Sequence, residues 1–247
     1  MKITFLGTNG WYNTSTGNTL CILIESTDYY VILDAGTGFY KLDRYLSTDI
    51  PVFLLLSHFH LDHIYSLHTL VRFSFKSGLR IFGPDGIKKI LKLIANEPFS
   101  IPLREVPFEI EVFELPKDGG NLPFEVECIE LSHTSLTLGY RLHLDGKIIA
   151  YCPDTGFCKN AVRVARGADL LIAECSLRPG EHLSAWSHLN PQQASKIAKD
   201  GKAKQLILTH FDASRYLTME SRKEAEIVAK RTFPNSIASR DDMQIKI

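Results

Sequence analysis

The stretch "LLLSHFHLDH", residues 54–63, packs three histidines and an aspartate into six positions at the end of an apolar run. The chain has nine histidines in 247 residues, and a third of them stand here, at His58, His60 and His63, with Asp62 between the last two. A polar helix start explains this density poorly. In extended backbone His58 and His60 project to one side, because side chains alternate. Asp62 and His63 then turn away into a helix expected to run to about residue 76, with Asp62 placed to cap its free amides. Two ligand pairs leaving one loop in two directions suggest two metal ions.

Something rigid must hold such a loop. Val52–Leu56 is continuously apolar and follows Pro51, the pattern of a strand buried on both faces. Similar strands recur along the chain: "KITFLG", "TLCILIES", "YYVILDAG", "LRIFGP", "PFEIEVFELP", "LPFEVECIELSH", "LTLGYRLHLDG", "KIIAYCPD", "DLLIAECS", "AKQLILTH" and the closing "DMQIKI". Asp145-Gly146 is a hairpin signal. Helices are expected over 38–46, in "DGIKKILKLIAN", in "NPQQASKIAKDG" with Pro191 in its first turn, and through "TMESRKEAEIVAKR". His133, Asp154 and His210 each follow one of the strands, as His58 does, so four strands deliver a ligand-type residue at the carboxyl end.

No Ser/Gly tract, Pro-rich run or block of like charge divides the chain, so residues 1–247 read as one domain. Lysine plus arginine equals aspartate plus glutamate at 28 each. That balance argues against long nucleic acid as the substrate, since phosphate neutralisation asks for basic excess. The five cysteines show no C-x-x-C spacing and fit buried thiols in a reducing compartment. No stretch reaches the length of a membrane span, and the opening apolar run is short for a signal peptide. A cytoplasmic protein is expected, with a homodimer left open.

"HFHLDH" resembles the H-x-H-x-D-H signature of the metallo-β-lactamase superfamily. The resemblance runs nearly the whole chain, through "FLGTNG", "LDAG" at 33–36, His133, "PDTG" with Asp154, and "LTHF" with His210. It implies an αββα sandwich of two mixed sheets flanked by helices, with a dinuclear site between the sheets. It also implies that His58, His60 and His133 bind one metal, that Asp62, His63 and His210 bind the other, and that Asp154 bridges them. A nitrogen and carboxylate set without thiolate suits Zn2+, with Mn2+ or Fe as alternatives. His60 stands where di-iron redox members carry glutamate, which favours hydrolysis.

"SHLNPQQASKIAKDGKAKQLILTHF" is most similar to the RNase Z-like phosphodiesterases, and implies that His188 is no metal ligand but protonates the leaving oxygen or stabilises charge on the transferred group. Asn190 as a plain helix cap is the competing reading of that segment. Two departures count against tRNA 3′-end cleavage. Leu61 replaces the usual glycine, and the interval from His133 to Asp154 has room for two strands and a hairpin but no tRNA-gripping arm. The expected function is therefore hydrolysis of a small or cyclic phosphodiester by a metal-bound hydroxide, with Asp62 orienting or deprotonating the water. The alternatives are RNase Z-type endonuclease action, hydrolysis of sulfate esters, thioesters or lactams, and a non-enzymatic metal-binding scaffold. Asp34 is expected to brace the site. Cys152 and Cys158 are read as structural, Lys88, Lys89 and Lys92 as a solvated helix face, and His182 as ordinary but close enough in sequence to watch. Loops 95–108 and 176–188 are expected to shape the pocket.

Overall fold

Apolar strands with no polar face must be covered on both sides. The computed structural model, which describes residues 1–46, 49–183 and 186–247, shows what covers them. Its strands are Lys2–Gly7 (β1), Asn9–Gly10 (β2), Cys21–Glu25 (β3), Tyr30–Leu33 (β4), Val52–Leu55 (β5), Leu79–Pro84 (β6), Ile110–Leu115 (β7), Val126–Glu130 (β8), Leu138–Leu144 (β9), Lys147–Cys152 (β10), Leu170–Glu174 (β11), Leu206–Thr209 (β12), Phe211–Asp212 (β13), Ser236–Ala238 (β14) and Met243–Lys246 (β15). One sheet has the order β15-β1-β3-β4-β5-β6-β7 and the other β14-β12-β11-β10-β9-β8. Each mixes parallel and antiparallel pairs. The short strands β2 and β13 pair in parallel. Asp145 and Gly146 both take positive φ in the turn between β9 and β10, as a tight hairpin needs.

The α-helices are Leu61–Ile64 (α1), Ile87–Ile94 (α2), Lys159–Ala165 (α3), Pro191–Asp200 (α4) and Met219–Thr232 (α5), joined by 3-10 segments at Thr37–Arg44 and Tyr65–Arg72. Three apolar layers result. Phe5, Phe53, Tyr140 and Ile172 lie between the sheets. Leu171, Leu208, Ala194, Ile197 and Ala225 join the second sheet to its helices. Leu23, Leu54, Phe39, Leu67 and Ile87 do the same for the first. This is the expected αββα sandwich. Among the described residues no helix is long and apolar enough to cross a membrane.

The expected helix from Asp62 to residue 76 is not there. α1 makes one turn, and a 3-10 segment ending at Arg72 comes after it. No side chain caps α1, because the Asp62 carboxylate instead receives the backbone N–H of Trp11 at 2.7 Å. α3 has no counterpart among the expected helices; its cap is the sulfur of Cys158, which accepts the Ala161 N–H. Asn190 does cap α4, in a reciprocal box with Gln193.

β2 and β13 are too short to hold themselves together, and Arg222 of α5 secures them. Its side chain is 1% exposed, donates to Thr8 Oγ1 at 2.7 Å and to Asn9 Oδ1, and lies 4.7 Å from the Phe211 ring centroid. Arg222→Ala removes these donors and leaves a cavity. The expected loss is roughly 3–5 kcal/mol of unfolding free energy in urea titration; a loss under about 1 kcal/mol would mean that the strand pair is held by something else.

Candidate metal centre

The carboxyl ends of β5, β8, β10 and β12 open toward one place, and the segments that leave them carry the candidate residues. His58 and His60 follow β5, Asp62 and His63 sit in α1, His133 follows β8, Asp154 follows β10, and His210 follows β12. Ligand atoms of His58, His60, His133 and Asp154 lie within 4.8 Å of one another, and so do those of Asp62, His63 and His210. Asp154 divides its oxygens between the groups. Oδ2 stands 3.8 Å from His58 Nε2 and from His133 Nε2, whereas Oδ1 stands 3.2 Å from His210 Nε2 and 3.4 Å from His63 Nε2.

Hydrogen bonds behind the rings settle which nitrogen faces inward. Asp34 has no exposed surface and accepts from His63 Nδ1 at 2.8 Å, so His63 presents Nε2. Asp34 also accepts from Ser57 N, Ser57 Oγ and Tyr151 OH. Ser176 Oγ donates to the His210 carbonyl and lies 3.0 Å from His210 Nδ1, which leaves that ring to present Nε2 as well. The two Nε2 atoms then face each other at 3.1 Å, a spacing that only a shared proton or a metal cation reconciles. His133 Nε2 and His60 Nδ1 lie 3.3 Å apart. Lone pairs opposed this closely repel unless a cation lies between them. A tetrahedral ion with bonds of about 2.0–2.1 Å keeps its ligand atoms roughly 3.3–3.4 Å apart, which these spacings match. Among the described residues, His58 Nε2 and Asp154 Oδ1 are buried without a hydrogen-bond partner. The residues thus fit a divalent metal, and a carboxylate behind a ligating imidazole is its usual support.

Electrostatics separates the two groups. Burial keeps His58, His60 and His133 below the ordinary imidazole range, and so neutral with free lone pairs. Burial also lowers His63 and His210, but the carboxylates of Asp154, Asp62 and Asp34 outweigh it and raise His63, and those of Asp154 and Asp62 raise His210. Burial opposes ionising Asp62 and Asp154, and the facing imidazoles hold both carboxyls below their usual range.

His188 stands beside the cluster. Its Nδ1 is 2.7 Å from Glu174 Oε1, and a ligand atom of His188 lies within 4.8 Å of Asp154 and His210. Burial alone would depress it, but the Glu174 charge and hydrogen bond lift it to about 9. Glu174 is absent from the residues that the sequence singles out, although it ends β11 just as the ligand-type residues end their strands. It is fully buried and also accepts from Thr155 N and Ser176 N. Trp11 and Gly10 are absent from that set too. A cavity of about 540 Å³ opens over the site, with both among its walls, together with Leu61, Trp186, Ser187 and His188. Of the two expected pocket loops, 176–188 contributes Ser176, Trp186, Ser187 and His188, while its residues 184–185 lie outside the described ones. The loop 95–108 does not reach this cavity; several of its residues line a separate groove against α2. His182 is exposed and outside the cluster, and Lys88, Lys89 and Lys92 face solvent.

Known proteins share both the sequence pattern and the fold. A model of the beta-lactamase superfamily domain matches residues 29–211. Ribonuclease Z of Enterococcus faecalis is 29% identical over 306 aligned positions, covering 98% of this chain and 96% of the relative. That span exceeds the 247 residues here, so the relative carries insertions that this chain lacks. The crystal structure of the metallo-beta-lactamase fold protein YhfI from Bacillus subtilis superposes with a TM-score of 0.82 at 22% identity, covering 99% of this chain and 98% of that one. The human short-form tRNase Z superposes at 0.79 and 23% identity, covering 100% and 99%.

A Cβ added at Gly10 would lie 2.5 Å from His210 Cε1. Gly10→Ala must therefore push the ring out of its place. Elemental analysis of purified protein is expected to find less divalent metal per chain than in wild type, with a stability loss of only about 1–3 kcal/mol. Unchanged metal content would mean that His210 is not needed to hold it.

Proposed function

The chain belongs to the beta-lactamase superfamily, and from that premise we propose that it is a dinuclear metal-dependent phosphodiesterase acting on a small or cyclic phosphodiester. The observation that carries the reading is the division of the Asp154 oxygens between two inward-facing nitrogen sets, with the His188–Glu174 pair alongside. In this reading His58, His60 and His133 hold one ion, Asp62, His63 and His210 hold the other, and Asp154 serves both. Zn2+ suits the donor set best, with Mn2+ or Fe as alternatives. The ions supply Lewis-acid charge for the non-bridging phosphoryl oxygens and acidify a water.

The protein side chains do the rest. Asp62, whose Oδ2 is held by the Trp11 N–H, orients the attacking water and takes its proton. Glu174 holds His188 by Nδ1 and keeps the ring protonated, so Nε2–H points at the leaving oxygen and donates to it as the ester bond breaks. β9 and β10 fill the interval between His133 and Asp154, and no arm projects from it. None of the described residues lining the cavity is lysine or arginine, and its volume suits one small ligand. These features favour a single phosphoryl group over a polynucleotide. A second reading, cleavage at an RNA 3′ end, draws on the ribonuclease Z relative matched over nearly its whole length.

Protein loaded separately with Zn2+ and Mn2+ is expected to hydrolyse bis(p-nitrophenyl) phosphate, and Asp62→Ala to abolish this. Metal-loaded protein inert on that ester but active on sulfate esters, thioesters or lactams would refute the phosphodiesterase reading. Cleavage of precursor tRNA at a higher kcat/KM than small esters would favour the second one.

His188→Ala is expected to lower kcat by about 10²–10⁴ while metal stays near two per chain. Glu174→Gln should lower it in the same direction but less. Loss of metal in His188→Ala would make His188 a ligand and end its role as proton donor.

A further inference from the structure

The chain contains two tryptophans, and the fold brings both to the mouth of the same cavity. Trp11 follows β2 and Trp186 precedes α4, so they come from segments far apart in the sequence. Their rings meet edge to face, with centroids 6.3 Å apart and planes at 83°. Neither is hidden by the other: Trp11 is 59% exposed and Trp186 48%. Tryptophan usually sits mostly inside, and two side by side at a cavity mouth mark a place that something else covers.

The backbone shows that the corner is built. Trp11 has φ of 73°, a left-handed conformation that a bulky residue adopts only when its surroundings impose it. The Trp11 N–H is held by Asp62 Oδ2, and the turn behind it is tied by Asn9, whose side-chain amide donates to the Tyr12 carbonyl. On the other side, the Trp186 carbonyl receives the His188 N–H at 2.9 Å. Each indole is therefore attached through the backbone to one of the two residues assigned proton transfer, Asp62 and His188. Whatever rests in the corner is positioned relative to both.

We propose that the Trp11–Trp186 corner receives a flat aromatic ring of the substrate, and that the substrate is a phosphodiester with one phosphoryl group and a nucleobase or aryl substituent. This rests on the phosphodiesterase reading and narrows it. Two indoles at right angles offer one face for offset stacking and one edge against the ring's rim, the two favourable arrangements for aromatic groups. Stacking needs no hydrogen-bond code, so it accepts different bases. It also supplies binding energy that basic side chains do not provide here, since none of the described lining residues is lysine or arginine.

Because both tryptophans sit at this corner, indole fluorescence reports on it alone. Adenosine 5′-monophosphate is expected to quench the emission saturably and ribose 5-phosphate to leave it unchanged. Turnover gives the second readout, as kcat/KM for thymidine 5′-p-nitrophenyl phosphate relative to ethyl p-nitrophenyl phosphate. That ratio should exceed one in wild type, fall roughly ten-fold in Trp11→Ala and in Trp186→Ala, and be largely restored by phenylalanine at either position. A high ratio for bis(p-nitrophenyl) phosphate but not for the thymidine ester would identify the ring as aryl and not nucleobase. Equal quenching by both phosphates, together with ratios near one in wild type for both the thymidine ester and bis(p-nitrophenyl) phosphate, would overturn the proposal while leaving the phosphodiesterase reading intact. Quenching by the nucleotide without turnover of any ester would refute the phosphodiesterase reading and the substrate named here, and leave the corner only as a ring-binding site.

Discussion

Asp34 is a carboxylate with no exposed surface, and its donors come from distant parts of the chain. Ser57 supplies its N–H and Oγ–H from beyond β5, His63 its Nδ1–H from α1, and Tyr151 its phenol from β10 in the opposite sheet. A buried charge left unmatched would destabilise the fold severely. The backbone around it therefore has little freedom, and Asp34 itself takes a positive φ. Two further bonds cross between the sheets nearby, from Tyr140 OH to the Leu56 carbonyl and from Leu138 N to the Ser57 carbonyl. Together they set the distance between the strand ends from which the imidazoles project.

That distance is what makes the site a site. Five imidazoles and two carboxylates gathered this closely call for a cation between them: ring nitrogens face one another at 3.1 and 3.3 Å, and, among the described residues, His58 Nε2, His133 Nδ1 and Asp154 Oδ1 are buried without a hydrogen-bond partner. Three apolar layers, together with the Asp34 and Arg222 networks, hold the groups there anyway. Binding free energy for an ion is stored in this arrangement, because the ligands need not be gathered when the ion arrives. Glu174 plays the corresponding part for His188, fixing the ring by one nitrogen and leaving the other to the cavity.

The way out of the site is less polar than its floor. Trp11, Leu61 and Trp186 stand at the rim, and the charges below belong to the imidazole and carboxylate cluster and to Asp212. With 28 basic and 28 acidic residues and no lysine or arginine among the described lining residues, the protein has no evident means of gripping a long phosphate chain. Recognition falls to shape, to apolar contact and to the metal-binding floor.

Much of this is legible in the chain. Apolar runs ending in His or Asp identify the strands and their carboxyl ends, because a strand buried on both faces has nowhere to place a polar residue except at its end. The H-x-H-x-D-H spacing puts six-position ligand chemistry on one loop by local geometry alone. The segment after Asp62 departs from its expected helix for a tertiary reason: the carboxylate serves the Trp11 N–H, a partner 51 positions away, and not the helix that it begins. Glu174 obeys the strand-end rule without standing out, because an acidic residue after an apolar run has many ordinary uses; only the sandwich sets it against His188. Trp11 and Trp186 carry no local signal at all. Sequence determines which residues carry ligand chemistry and which strands bury them, since both depend on near neighbours. Which of those residues face each other, and which aromatic rings meet above them, is decided by contacts between segments far apart in the chain.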